Sequence, residues 1–433
     1  LNTGLATPSR GFTLDQSLRL DRASSSYLSR TPSSAGNRRT FTFSTWLKRG
    51  NYDTAGSQHS LFYATGYDEI NIYQTSSATD FRVKHAAGDY NLTTNQSFRD
   101  SSAWMHLLIA FDSTQSTASN RIKIYINGTQ VTSFATENYP SEDYDFVFNN
   151  SGQLHTIATN AGDLDYEFDG YLAETHFIDG TALTPSSFGE TGDYGEWKPI
   201  EVSGLTYGTN GFYLDYADSG ALGDDESGNT NDFTAHNLTA ADQVLDSPTN
   251  NFATLNPLDW YGASNRDRLR FKEGNLWTYC TDTAHNRTPA TMGVSSGKFY
   301  WEVLMWSSSA YFWQDQQAAV VALTGFENAP NNGDANQPGY FENNGATYHS
   351  GGTLYANDGS SAGWGSSYTK GDIISVALDM DNGKVWFAKN GTWQASGNPA
   401  TGANPAHSGM LTHADTYAPM AYLSYTIHHL QVS

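Results

Sequence analysis

The most restrictive feature of this chain is an alternation of apolar and polar residues with a period of two, which recurs from end to end and breaks at turn-forming pairs. Phe41, Phe43 and Leu47 fall on one face of a segment while Thr42, Ser44 and Lys48 fall on the other, as a half-buried strand requires. Ile122, Ile124 and Ile126 repeat the beat and run into Asn127-Gly128. That pair accepts positive φ at both central positions, so a type I′ hairpin returning through Gln130 to Phe134 is expected. The segment from Phe168 to Gly180 places Tyr171, Ala173, Thr175 and Phe177 together, and Ser101 to Asp112 reads as a loop followed by a strand from Met105. No helical periodicity of comparable strength occurs. The chain is therefore expected to be all-β.

Length and charge narrow the possibilities. A chain of 433 residues exceeds one ordinary core, so two or three domains are expected. Lys and Arg number 23 against 45 Asp and Glu, a net charge of −22, which repels phosphate backbones and argues against nucleic acid as a partner. No apolar stretch approaches the roughly 20 residues of a membrane-spanning helix, so membrane insertion is not expected. Low charge density with 11 Trp, 26 Tyr and 22 Phe supplies core rather than disorder. Cys280 stands alone, so no intramolecular disulfide forms. The first residue is Leu, which marks a processed or fragmentary N-terminus. The Asn-x-Ser/Thr sequons at Asn91, Asn127, Asn237 and Asn390 are expected to be exposed turns.

The texture changes along the chain. Residues 1–190 carry the first set of strands. Residues 191–257 are rich in Gly, Asp, Asn and Thr around two apolar patches, and read as a connector with one or two short strands packed on its neighbours. Residues 258–433 form a second strand-rich unit, in which Ile374, Val376, Leu378 and Met380 share one face before the turn Asn382-Gly383, and Asn390-Gly391 ends the return strand. No blade-length period repeats, so two antiparallel β-sandwiches in series fit better than a barrel or a propeller.

Two resemblances rest on these residues. Leu18 to Asp21, Phe41 to Lys48, Trp104 to Leu108, Ile124 to Gly128 and Phe168 to Glu174 resemble the laminin-G/concanavalin A-like lectin sandwich, a jelly roll, over about residues 14–190. Gly297 to Val303, Gly371 to Asp379 and Val385 to Trp393 are similar to the SPRY module over about 260–433. The pairing, with the linking text Gly211 to Asp218, Asp225 to Phe233 and Asp246 to Phe252, resembles surface and fibre proteins of marine tailed bacteriophages. That resemblance implies a virion-surface, extracellular location as fibre, appendage or decoration. The partners it implies are other virion proteins, copies of the chain itself, and host-surface glycan or envelope protein.

Candidate chemistry lies in three places. Asp163, Asp165, Glu167 and Asp169 alternate along one strand face, about 7 Å apart, and resemble the Glu-x-Asp-x-Glu strand of concanavalin-like glycoside hydrolases. Each position of Asp165-x-Glu167-x-Asp169 departs from that pattern, so a solvated strand end, a polar or calcium contact, and catalysis all stay open. Asp224, Asp225, Asn229 and Asp232 offer clustered oxygens around a glycine. Laminin-G-like domains often hold Ca²⁺, which makes these the candidate calcium ligands, against a plain Asx-rich turn. Tyr340, Tyr348, Tyr355, Trp364 and Tyr368 lie in Gly/Asn/Ser-rich text between SPRY-like strands and are the candidate ligand-binding residues, aromatic faces for sugar rings, with core packing as the alternative. No nucleophile system is present: Cys280 and His285 lack an electropositive setting, and His428-His429 reads as ordinary surface. The expected function is non-enzymatic display and host contact. The alternatives are a polysaccharide depolymerase using Glu167, a purely structural decoration protein, and a secreted adhesin.

Overall fold

The computed structural model describes residues 12–50, 57–75, 78–160, 166–258, 261–262, 269–280, 286–307, 317–322, 345–356, 359–361, 363–410, 416–423 and 428–432. The architecture is all-β and antiparallel, with helical structure confined among the described residues to short 3₁₀ turns. The chain divides into two compact units, 2–252 and 253–433.

In the first unit two sheets face each other, each of eight strands among the described residues. One runs in the order Thr129–Gln130, Ile122–Ile126, Met105–Asp112, Thr40–Arg49, Gly170–Asp179, Ser17–Leu20, Gln243–Val244, and Phe212–Leu214 also pairs with Gly170–Asp179. The other runs Phe134–Asn138, Asn91–Thr94, Thr79–His85, Asp68–Gln74, Gln58–Ala64, His155–Ile157, Tyr27–Arg30, Thr234–His236. Alternation drives Phe41, Phe43 and Leu47 of one sheet and Phe62, Ile70 and Ile72 of the other into a common core. Phe43 stacks on Phe62 across it at 5.1 Å.

Segment 191–252 is woven into this sandwich. Phe212–Leu214, Thr234–His236 and Gln243–Val244 each extend a sheet. Phe188, Val202, Leu205 and Tyr207 cover Leu108, Ala110 and Ile178 on the outer face of the first sheet, and Trp197 covers Trp46, Trp104 and Tyr171. The polar side of the 40–49 strand is consequently buried as well. Thr42, Ser44 and Lys48 are each at most 1 % exposed, where alternation alone leads one to expect a half-buried strand.

Two local expectations give way to backbone geometry. Asn127 and Gly128 do take positive φ, 48° and 77°, and Thr129–Gln130 pairs back on Tyr125 and Ile126. Beyond that the chain crosses to the other sheet, where Phe134–Asn138 pairs with Asn91–Thr94. In Gly170–Asp179 a bulge shifts the register between Ala173 and His176, with Glu174 at φ 50°. Tyr171 and Ala173 therefore sit in the outer cluster while Phe177 enters the core, because one extra residue inverts the facing of everything after it.

The second unit is also a sandwich. One sheet holds Leu269–Lys272, Trp277–Cys280, His428–Val432, Lys298–Ser307, Ile373–Asp379, Lys384–Lys389 and Thr392–Trp393, with His407–Ser408 beside Lys384–Lys389. The other holds Tyr261–Gly262, Asn286–Pro289, Tyr417–Leu423, Gln317–Ala322, Gly345–His349, Leu354–Ala356 and Gly359–Ser361. Ile374, Val376, Leu378 and Met380 are all at most 1 % exposed, facing Tyr348, Leu354 and Tyr417 in one core. Asn382-Gly383 closes a four-residue loop between Asp379 and Lys384, with Asn382 donating from backbone and side chain to the Asp379 carboxylate.

Candidate functional site

The loop aromatics separate by burial. Tyr348 and Tyr368 are core residues, 0 % and 4 % exposed. The Tyr368 hydroxyl donates to the Tyr348 carbonyl at 2.6 Å and the Tyr348 hydroxyl to the Ser366 carbonyl. Trp364 is half-buried and packs edge-on against Tyr348 at 5.3 Å. These three come together as a wall of the hydrophobic core, because Tyr348 lies on the strand Gly345–His349 and the turn segment 363–368 packs Trp364 and Tyr368 against it. Tyr355 is half-buried on Leu354–Ala356 and meets His349 edge-on. Tyr340 lies outside the described residues.

The Asx-rich loop is organised by Asp225. Its carboxylate accepts the backbone N–H groups of Tyr213, Ser227 and Asn231 and the Ser227 hydroxyl, all at 2.8–2.9 Å. Those four donors occupy the roughly four lone-pair sites that a carboxylate has. Asn229 spends its amide on the carbonyls of Gly208 and Gly211, Asp232 accepts from the Asp225 N–H, and Asp224 is exposed. The geometry is that of an Asx turn anchoring 225–231 on the 208–213 strand entry, and a cation at Asp225 has to displace those donors. Among the described residues no group of three or more His, Cys, Asp or Glu takes a metal-holding arrangement.

Of the four alternating acids, Asp163 and Asp165 lie outside the described residues, as does His285. Glu167 and Asp169 are buried, 2 % and 4 % exposed, and not a solvated strand end. Glu167 accepts from the Ser25 hydroxyl at 3.1 Å and lies 3.8 Å from Arg22 Nε. Asp169 takes the Arg22 N–H at 3.4 Å.

The site that sequence reasoning missed is the outer face of the second sheet in the first sandwich. Ile70, Ile72, Phe81 and Val83 point into the core, so alternation turns Glu69, Asn71 and Tyr73 outward beside Asp80, Arg82 and Lys84. The register places Tyr63, Glu69 and Lys84 in one row and Asn71 beside Arg82 in the next. Gln58 ties the rows together. Its amide oxygen receives Arg82, Lys84 (3.2 Å) and Asn71 (3.4 Å). Arg82 donates from Nε to Asn71 at 3.2 Å and lies over the Tyr73 ring at 4.2 Å. Lys84 pairs with Glu69 Oε2 at 3.1 Å.

This face departs from an ordinary solvated surface in two respects. Its cations are immobilised, and burial pulls the Arg82 guanidinium below its usual pKa. Its acceptors are also incompletely used: Glu69 Oε1 and Asp80 Oδ1 are buried without a hydrogen-bond partner, in side chains 2 % and 6 % exposed. An unmet buried acceptor costs about 1–3 kcal/mol, and burial raises the Asp80 carboxyl. The only advance signal was the alternation of Glu69 and Asn71 with Ile70 and Ile72, and of Asp80, Arg82 and Lys84 with Phe81 and Val83, which by itself assigns the polar set to solvent.

Residues 22–187, which contain this face, match the family model Laminin_G_3, described as the concanavalin A-like lectin/glucanases superfamily. Within the first sandwich it is this stretch that is similar to the family. Among solved structures, the chain is similar to the SPRY domain of human HERC1, with 18 % identity over 41 % of this chain and 96 % of that one and a TM-score of 0.30. It is similar to a SAP-like pentraxin from Limulus polyphemus, with 15 % identity over 37 % and 71 % and a TM-score of 0.28. A putative carbohydrate binding protein from Bacteroides ovatus shares 13 % identity over 52 % and 61 %, with a TM-score of 0.34. A search of curated proteins finds no match. No helix among the described residues is long and apolar enough to cross a membrane.

Proposed function

We propose that this chain is a non-enzymatic binding protein that grips host-surface glycan through the polar face of its laminin-G-like sandwich. The observation that carries the reading is the set of pre-oriented donors on this face, Arg82 held by Gln58 and Asn71 over the Tyr73 ring and Lys84 held by Gln58 and Glu69. Side chains already held by Gln58 and Asn71 lose little further freedom when a ligand arrives, which lowers the entropic cost of binding. Tyr73 under Arg82 adds aromatic surface for sugar C–H groups. Glu167, buried against Ser25 and Arg22, serves as a structural acid in this reading.

The resemblance to tailed-phage surface proteins adds the setting. The chain is a virion fibre, appendage or decoration component that contacts copies of itself and other particle proteins. Binding of the full chain to arrayed host-surface glycans tests the first part. Arg82→Gln is expected to weaken retention about 10- to 100-fold, the effect of losing hydrogen bonds worth about 1.5–3 kcal/mol to a charged group, with a cooperative melting transition retained at a lowered midpoint because the bonds to Gln58 and Asn71 are lost too. Retention at wild-type strength refutes the site, and release of reducing ends from a bound polysaccharide makes the chain a depolymerase instead. Antibody-labelled micrographs of native particles test the setting, with label expected on the particle surface.

A further inference from the structure

The second sandwich carries a cleft that neither the loop aromatics nor the first-sandwich face accounts for. Trp301, Val303 and Met305 point into the core, so Lys298, Tyr300 and Glu302 stand on the outer face of their sheet. The register aligns Tyr300 with Ala377 and Ala377 with Trp386. A methyl group between two large rings leaves a gap. Trp386 is fixed beneath segment 397–403, its indole N–H donating to the Ala403 carbonyl at 2.8 Å. Pro399 and Ala400 of that segment form the wall facing Tyr300, around a cavity of about 300 Å³.

The ends of the cleft differ in chemistry. At one end Trp393 meets Tyr300 at a ring separation of 6.5 Å and an interplanar angle of 70°, making an aromatic corner. It is set there by the two-residue turn Asn390-Gly391, both residues at positive φ. Tyr300 is 49 % exposed, yet its hydroxyl is held by Glu302, which also accepts from Ser375 at 3.2 Å. At the other end Lys298 and Asp379 pair at 3.3 Å, the lysine largely exposed.

We propose that this cleft is a second saccharide site, independent of the first-sandwich face, that takes a neutral hexopyranose residue. The corner of Tyr300 and Trp393 offers apolar ring faces to the C–H side of a sugar. At the polar end the Asp379 carboxylate accepts a hydroxyl and Lys298 donates, while Glu302 holds the Tyr300 hydroxyl from outside the lining. The volume stands at the small end of ligand pockets, about 300–1,000 Å³, and suits one or two rings. Neutrality follows from charge: two carboxylates flank one lysine in a chain of net charge −22, which repels uronic or sulfated sugars. An exposed tyrosine held still by its own hydroxyl is pre-organised for stacking.

The test uses the full chain and a panel of methyl glycosides of glucose, galactose, mannose and N-acetylglucosamine, read by saturation-transfer NMR. At least one is expected to receive saturation at its ring C–H protons. Tyr300→Ala and Trp393→Ala are expected to weaken that transfer tenfold or more, while Arg82→Gln leaves it intact. Tyr300 is exposed, so its removal is expected to leave the melting curve unchanged. Transfer that survives both aromatic substitutions, or no transfer from any member of the panel, overturns the proposal. Transfer lost only in Arg82→Gln overturns it too and assigns the sugar to the first sandwich.

Discussion

At the scale of single residues, polar groups buried by a second layer of chain set the character of the first unit. Lys48 is 0 % exposed. Its ammonium is held by Asp246 at 2.8 Å, Asn251 at 2.8 Å and the Phe252 carbonyl at 2.7 Å, and Asp246 also takes the Trp104 indole N–H at 2.8 Å. Burial pushes the Lys48 pKa down, and Asp246 opposes it. Lys48→Met strands Asp246 with one donor fewer, and is expected to cost about 3–5 kcal/mol in urea unfolding. Histidines add a pH dependence. Burial lowers His59 and His106 to about 3 and His155 to about 4, so each is neutral in the folded state while the unfolded chain protonates below about 6.5. Stability is therefore complete above pH 6.5 and falls on acidification, by up to about 1.4 kcal/mol per pH unit per histidine, until the folded values are reached. His85 acts in the opposite sense. The Asp68 hydrogen bond raises it, so its contribution is present below 6.5 and fades as pH rises. Three against one, the unit is expected to melt at lower temperature at pH 5 than at pH 7, and a calorimetric midpoint that does not move contradicts neutral burial.

At the scale of elements, strands were legible and their ends were not. Met105–Asp112 begins where the loop-to-strand reading of 101–112 places it, and Asn127, Asn237 and Asn390 of the four sequons sit in left-handed turns. Crossovers and bulges leave no mark in alternation, because both depend on which partner strand is adjacent. Gly170 shows what such a junction demands. It lies at φ 142°, and a Cβ there falls 2.3 Å from the Lys48 carbonyl oxygen. Backbone cannot yield as a flexible side chain can, so Gly170→Ala is expected to destabilise the first unit by more than about 1 kcal/mol, read from the shift in its urea midpoint. The bulge at Glu174 has a parallel role. It redirects the strand so that Glu174 accepts the Tyr213 hydroxyl with both carboxylate oxygens at 2.9 Å, joining segment 208–216 to the sheet.

At the scale of the whole molecule, the two units have separate cores, and thermal unfolding is expected to resolve two transitions by calorimetry. Lys48→Met and Gly170→Ala are expected to move one of them and leave the other in place. A single transition shifted as a whole by either substitution contradicts this. The sequence by itself determined the all-β class, the two sandwiches in series and most inward-facing residues, since a period of two and paired turn residues are local properties that each strand carries alone. Only the tertiary structure decided what the outward-facing residues do. Lys48 is sealed by segment 246–252, Tyr348 and Tyr368 are drawn into a core, Asp225 is spent on its own loop, and Glu69, Arg82 and Lys84 converge from neighbouring strands into one polar network. Those outcomes depend on contacts between residues far apart in the chain, and whether a polar group meets water, a partner or nothing is settled by which segment comes to lie against it.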